Sequence, residues 1–144
     1  LVDLRGYDIR ILGTDISDDS IAQASRGIYS QLEVERGLTS DRIEKFFIRQ
    51  ADQWRIRDEL RAMATFRRLN LLSPESMVGV FDIILCRNVA VYFDEAHRKA
   101  LFDGLAAHMA PNGSLIVGST ESLTMLCPQY QQLHHCRASY YRKA

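Results

Sequence analysis

The sequence is poor in the features that mark specialised chains. Its 144 residues hold three prolines, three cysteines and one tryptophan. Cys86, Cys127 and Cys136 are odd in number and widely spaced, and none belongs to a CxxC pair. That argues against a disulfide scaffold and against a zinc ribbon. The four histidines have no metal-ligand spacing with the cysteines. His134 and His135, adjacent in an extended segment, would point to opposite faces. Lysine plus arginine total 18 and aspartate plus glutamate 18, so no charge bias points to nucleic acid or to membrane insertion. No apolar run approaches the roughly 18 residues of a span, and no signal-peptide pattern opens the chain. Repeats and low-complexity stretches are absent. A reduced, cytoplasmic protein is the expectation.

What is present reads as one domain with a core: 47% of residues are apolar and 25% charged, ordinary values for a globular chain. The opening Leu1-Val2-Asp3-Leu4-Arg5-Gly6 looks like the tail of a helix stopped by a glycine, which implies missing upstream sequence. Ile9–Thr14 predicts a strand, and Ser17 is placed to cap a helix from about Asp18 to Ser25. A second helix is expected from Thr39 to Phe47. Phe46–Arg49, Trp54–Arg57 and Ala64–Leu69 alternate apolar and basic residues, as an antiparallel meander would.

The clearest strand is Phe81–Cys86, a continuous apolar run typical of a sheet buried on both faces. Asp94 then caps a helix to about Met109, with Ala96, Ala100, Leu101, Leu105 and Met109 on one side. Pro111-Asn112-Gly113 predicts a turn into the strand Ser114–Gly118. Tyr130–Cys136 and Ala138–Arg142 form an expected hairpin. Strands and helices in alternation predict an α/β sheet with parallel strands. Its ligands would lie beyond the carboxyl ends of those strands.

Three places carry candidate chemistry. Asp15 follows the first strand at its carboxyl end, where a carboxylate can accept from both hydroxyls of a ribose; the alternative is a plain helix-capping or surface aspartate. Asn70 and Leu71 end a later strand, where they could read an adenine edge and pack on its face. The alternative is a turn asparagine beside a core leucine. Arg87, Asn88 and Tyr92 follow the buried strand, either as ligand groups or as a loop that satisfies backbone and helix end. For Asp94, capping is the whole reading.

The string Phe81–Asp94, FDIILCRNVAVYFD, resembles the signature stretch of CheR-type chemoreceptor glutamate methyltransferases. So do Gly13–Ser17 (GTDIS), Gly27-Ile28-Tyr29, the RxELR-like Arg57–Arg61, Asn70-Leu71-Leu72, Pro111-Asn112-Gly113 and Gly118–Ser122 (GSTES), in family order and spacing. The resemblance implies a Rossmann-like class I methyltransferase sheet with an inserted antiparallel β-subdomain at about 46–69. It implies S-adenosylmethionine as cofactor, S-adenosylhomocysteine as product and the chemoreceptor cytoplasmic domain as partner. By position, Asp15 matches the ribose-binding acid and Asn70 with Leu71 the adenine pair. Arg87 and Asn88 match the pair at the cofactor's amino-acid end, and Tyr92 the tyrosine beside the transferred methyl.

The sequence departs from the family pattern in three respects. Gln50-Ala51-Asp52-Gln53 replaces the glycine-rich turn of members that grip a receptor tail. The family's helical N-terminal domain is missing, and so are the first strand and its glycine-rich loop. The chain is therefore expected to be a partial methyltransferase domain over residues 1–144. The unpaired strands flanking the missing one would favour association with a second copy. Two rival readings are a methyltransferase for another substrate and a non-catalytic binding module of the same fold.

Overall fold

In the computed structural model, which describes residues 6–73, 78–136 and 138–143, the chain divides into two units, Leu1–Leu69 and Asn70–Ala144. The expected helix tail at 1–5 lies outside the described residues.

The first unit opens with β1 (Ile11–Asp15) and α1 (Asp18–Arg26). Ser17 caps α1 as its sequence position predicts, its Oγ accepting from the Ser20 N–H at 3.3 Å. Gly27 ends the helix at φ +64°, a left-handed conformation that a side chain disfavours. This gives the Gly27-Ile28-Tyr29 triplet a physical meaning: a helix stop followed at once by the short strand β2 (Ile28–Ser30). Ser30 then starts α2 (Gln31–Glu35) through a reciprocal capping box with Glu33. Next come α3 (Ser40–Phe46), β3 (Phe47–Gln50), β4 (Gln53–Ile56), α4 (Asp58–Arg61) and β5 (Ala64–Arg68).

The meander differs from expectation. Ala64–Leu69 is not its third strand: β5 pairs in parallel with β1, from Ile11 opposite Ala64 to Asp15 opposite Arg68. The antiparallel sheet has the order β2-β4-β3, so its third strand lies upstream, at Ile28–Ser30. Alternation alone predicts a half-exposed strand and does not name its partner, and a three-residue strand has no period to detect. The small sheet buries Phe47 with Val34 and Ile43, and Tyr29, Trp54 and Ile56 pack against them. In the β1–β5 pair, Gly13 admits Phe66: a Cβ at position 13 would lie 2.6 Å from the Phe66 ring.

The second unit contains β6 (Phe81–Cys86), a 3-10 turn (Ala90–Tyr92), α5 (Glu95–Ala107), β7 (Met109–Val117), β8 (Tyr130–His135) and β9 (Ala138–Lys143). Its sheet has the order β6-β7-β9-β8. β6 and β7 are parallel around α5, and β9 pairs antiparallel with both β7 and β8. Asp94 caps α5, accepting from the His97 N–H at 2.9 Å. That bond, with the His97 ring contact, holds its carboxyl below the usual range.

Three expectations are corrected here. Pro111-Asn112-Gly113 does turn the chain, since a Cβ at Gly113 would lie 3.1 Å from the Ala110 carbonyl oxygen, but the turn falls inside β7 rather than before it. Phe81 pairs with Met109 and Ile83 with Ser114, so residues 110–113 stand opposite Asp82 alone. Of the stripe expected on α5, Leu101, Leu105 and Met109 are buried, joined by Phe102 and Ala106, while Ala96 and Ala100 are exposed. Finally, among the described residues β6 is covered on one face. Ile84 and Cys86 meet the core, whereas Ile83 and Leu85 are 63% and 69% exposed.

Leu101 is fully buried in this core. Leu101→Ala should destabilise the second unit by about 2–5 kcal/mol, read as a lowered urea midpoint with an unchanged slope.

Candidate functional site

The loop after β6 is built by what lies buried beneath it. Cys86 ends the strand 4% exposed, and Ala90 is fully buried. Between these anchors Arg87 and Asn88 stand exposed, and Tyr92, at the end of the 3-10 turn, is 83% exposed. The chain therefore presents an arginine, an asparagine and a tyrosine from one short loop at the carboxyl end of a parallel strand, the ligand position of open α/β sheets.

Asn88 has φ +59°, a left-handed conformation that asparagine tolerates better than most residues. Its N–H donates to Glu121 Oε2 at 3.1 Å. The Gly118 N–H, just past the end of β7, donates to the same oxygen at 2.6 Å. Glu121 is itself 7% exposed, and among the described residues its other oxygen, Oε1, accepts no hydrogen bond. A Cβ at Gly118 would lie 2.6 Å from Glu121 Oε2 and 2.7 Å from Asn88 Oδ1. One carboxylate thus ties the end of β7 to the loop after β6, and the glycine makes room for both side chains. Burial, reinforced by Glu121, pushes the Cys86 thiol up to about 11, so Cys86 remains a neutral thiol that packs.

Asp15 ends β1 and is exposed. Its Oδ1 accepts from the Ser17 N–H at 2.8 Å, which orients the carboxylate at the carboxyl end of the strand. Asn70 behaves as a turn residue: its Oδ1 accepts from the Leu72 N–H at 3.1 Å, and its carbonyl accepts from Ser73 at 3.0 Å. Leu71 and Leu72 pack against the second unit's core. Locally the pair is a turn asparagine beside a core leucine. Two cavities in the first unit are lined by Tyr29, Val34 and Phe47 and by Ala24, Ile56 and Phe66. Neither includes a candidate residue.

Of the six candidates, the structure brings Arg87, Asn88 and Tyr92 onto one loop. Asp15 belongs to the first unit, and Asn70 and Leu71 begin the second. Glu121 and Gly118 are the residues that motif reading passes over. Both stand in the string Gly118–Ser122, but nothing in that string says that the glutamate is buried.

The family model described as CheR methyltransferase, SAM binding domain, matches residues 2–139. A chemotaxis protein methyltransferase 1 of Vibrio cholerae is 35% identical over 126 residues, which is 87% of this chain and 46% of that protein. A chemotaxis protein methyltransferase 1 of Pseudomonas aeruginosa is 30% identical over 135 residues, 93% of this chain and 49% of that protein. The chain thus spans about half the length of the curated relatives it matches. Among solved structures, the N-methyltransferase NodS of Bradyrhizobium japonicum in complex with S-adenosylhomocysteine superposes with a TM-score of 0.54. It is 14% identical, over 92% of this chain and 63% of that one. At that identity the likeness shows the fold alone: a mixed α/β fold shared with methyltransferases.

Gly118→Ala should cost about 1–3 kcal/mol, because the new methyl must displace either Glu121 or Asn88. Equilibrium denaturation checks this, and a cost near zero would mean that the loop yields freely.

Proposed function

The chain belongs to the CheR methyltransferase family of S-adenosylmethionine-binding domains, and on that premise we propose that it forms part of an enzyme that methylates glutamate carboxylates of chemoreceptors in the cytoplasm. The observation that carries this reading is the loop 87–92, which presents Arg87, Asn88 and Tyr92 from two buried anchors, Cys86 and Ala90. Its sequence is also the stretch most like the family signature.

Each unit by itself offers groups of a kind that the cofactor takes. Asp15, held by the Ser17 N–H, offers a carboxylate of the kind that binds a ribose diol. Arg87 and Asn88 offer donors and an acceptor to the charged amino-acid end. Leu71 contributes an apolar surface for the adenine, and Asn70 fixes the turn that presents it. The chemistry supplied when S-adenosylmethionine is bound is a methyl on a sulfonium, which a carboxylate takes as the C–O bond forms and the C–S bond breaks, leaving S-adenosylhomocysteine.

No proton moves in that displacement, since a glutamate is already ionised at neutral pH. The chain's residues are therefore asked for alignment rather than acid–base work. Tyr92, exposed and terminal on its 3-10 turn, orients the incoming carboxylate through its hydroxyl.

We also propose that the sheet of each unit pairs with a further strand. Among the described residues β1 pairs with β5 alone and β6 with β7 alone, which leaves one edge of each open. Ile11 on β1 and Ile83 and Leu85 on β6 are exposed. Open edges with exposed apolar residues recruit partners. Either a segment outside these residues or a second copy of the chain would fill that role.

Transfer of labelled methyl from S-adenosylmethionine to receptor glutamates, by the longest chain the gene encodes, tests the function; cofactor binding without methyl-ester formation would turn the reading into that of a binding module. Asp15→Ala should weaken cofactor binding by roughly 1.5–3 kcal/mol through loss of charge-assisted hydrogen bonds. Unchanged affinity by calorimetry would remove Asp15 from the site. Tyr92→Phe should leave cofactor affinity near wild type and lower the methyl-transfer rate, because the hydroxyl acts on the substrate during transfer. An equal loss of cofactor affinity would place Tyr92 against the cofactor instead.

A further inference from the structure

We propose that Glu121 is a positioning residue: its buried carboxylate sets the backbone of Asn88 and thereby the attitude of the Arg87–Asn88 pair toward the cofactor, an inference that rests on the functional reading above. Three independent observations converge on it. Both N–H groups that flank the junction, from Gly118 and Asn88, donate to one oxygen, Oε2. Asn88 is held at φ +59°, where an unsupported non-glycine residue is strained. Gly118 lacks the Cβ that would strike Oε2 and Asn88 Oδ1. Together these features fix the loop after β6 against the end of β7.

The physical chain runs from charge to geometry. A carboxylate buried to this degree is costly unless donors are aimed at it, and two backbone N–H groups supply them. The bonds are charge-assisted and span two strands, so they fix the loop relative to the parallel pair rather than to its own turn. Rotating Asn88 out of the left-handed region would swing its N–H off Oε2 and carry the side chains of Arg87 and Asn88 with it. Glu121 touches no cofactor in this scheme; it acts through Asn88.

Because both donors use a single oxygen, a glutamine should suffice to hold the geometry, whereas a side chain without an acceptor should not. In the longest chain the gene encodes, Glu121→Gln, Glu121→Ala and Glu121→Met are compared with wild type. Methionine keeps nearly the volume of glutamate, so the variant should fold where alanine leaves a hole. Amide hydrogen exchange at Asn88 and Gly118 reads the clamp without any cofactor. Titration with S-adenosylhomocysteine reads its consequence for the ligand.

Wild type and Glu121→Gln should protect both amides and bind within about threefold of each other. Glu121→Met should lose that protection and bind at least about tenfold more weakly while folded, the size expected for misaligned charge-assisted bonds. A folded Glu121→Met with wild-type affinity would reduce Glu121 to a structural role and overturn the proposal. Protected amides in that variant would do the same by showing that something else holds the loop. Wild type that binds no S-adenosylhomocysteine would instead overturn the functional reading, and the positioning role would fall with it even if the amide pattern held.

Discussion

Two parallel strands cannot be joined by a tight turn; the chain must leave the sheet, cross one face and return. That constraint organises both units. In the first, β1 and β5 are parallel, and the long excursion between them holds α1 and the whole antiparallel sheet. In the second, β6 and β7 are parallel around α5, and the helix pays for the crossover by burying Leu101 and Phe102 completely. A crossover also sends the chain out of the sheet at the carboxyl end of the strand, where backbone groups have lost their ladder partners. Asp15 and the 87–92 loop both stand at such exits, and polar residues there are available to a ligand because no strand continues to use them.

At the second exit the lost ladder partners are replaced by one side chain. Past Cys86 and past Val117 the N–H groups of Asn88 and Gly118 turn to Glu121 Oε2. Arranged this way, Gly118, Asn88 and Glu121 depend on one another: the glycine gives space, the asparagine tolerates the left-handed backbone, and the carboxylate accepts from both. The same burial that gives Glu121 its leverage keeps Cys86 protonated. The loop's own exposed groups, Arg87, Asn88 and Tyr92, are thereby spared from holding the backbone.

Much of the order of elements was legible because it rests on local chemistry. Ser17 and Asp94 cap the helices that follow them, since a short polar side chain before an apolar stretch has few other uses. Phe81–Cys86 is a strand, and its carboxyl end carries the loop that the motif singles out. The misreadings share a different cause, because each required knowledge of a neighbour distant in sequence. Nothing within Ala64–Leu69 says that its partner is β1 rather than β4. Nothing within Pro111-Asn112-Gly113 says that a strand continues on both sides, as the extra residues opposite Asp82 show. On α5, Leu101, Leu105 and Met109 of the expected stripe are buried, but Phe102 and Ala106 stand in place of its two alanines.

The candidate site divides along the same line. Residue type and position at a strand end made Asp15, Arg87, Asn88 and Tyr92 candidates, each beside an ordinary structural reading, and it was the family string that decided between the two. Glu121 was invisible because its importance lies in burial, and the residues around it in sequence are small and polar, as in any surface turn. Asn70 was the opposite case. Its side-chain oxygen accepts from the Leu72 N–H, so the turn fixes the amide from which any contact to a base would be made. A residue's hydrogen bonds within the fold thus orient the atoms that it can offer a ligand. Asp15 likewise accepts from the Ser17 N–H through Oδ1, and that bond, which orients the carboxylate just before the Ser17 cap, does not compete with the ribose contact proposed for it.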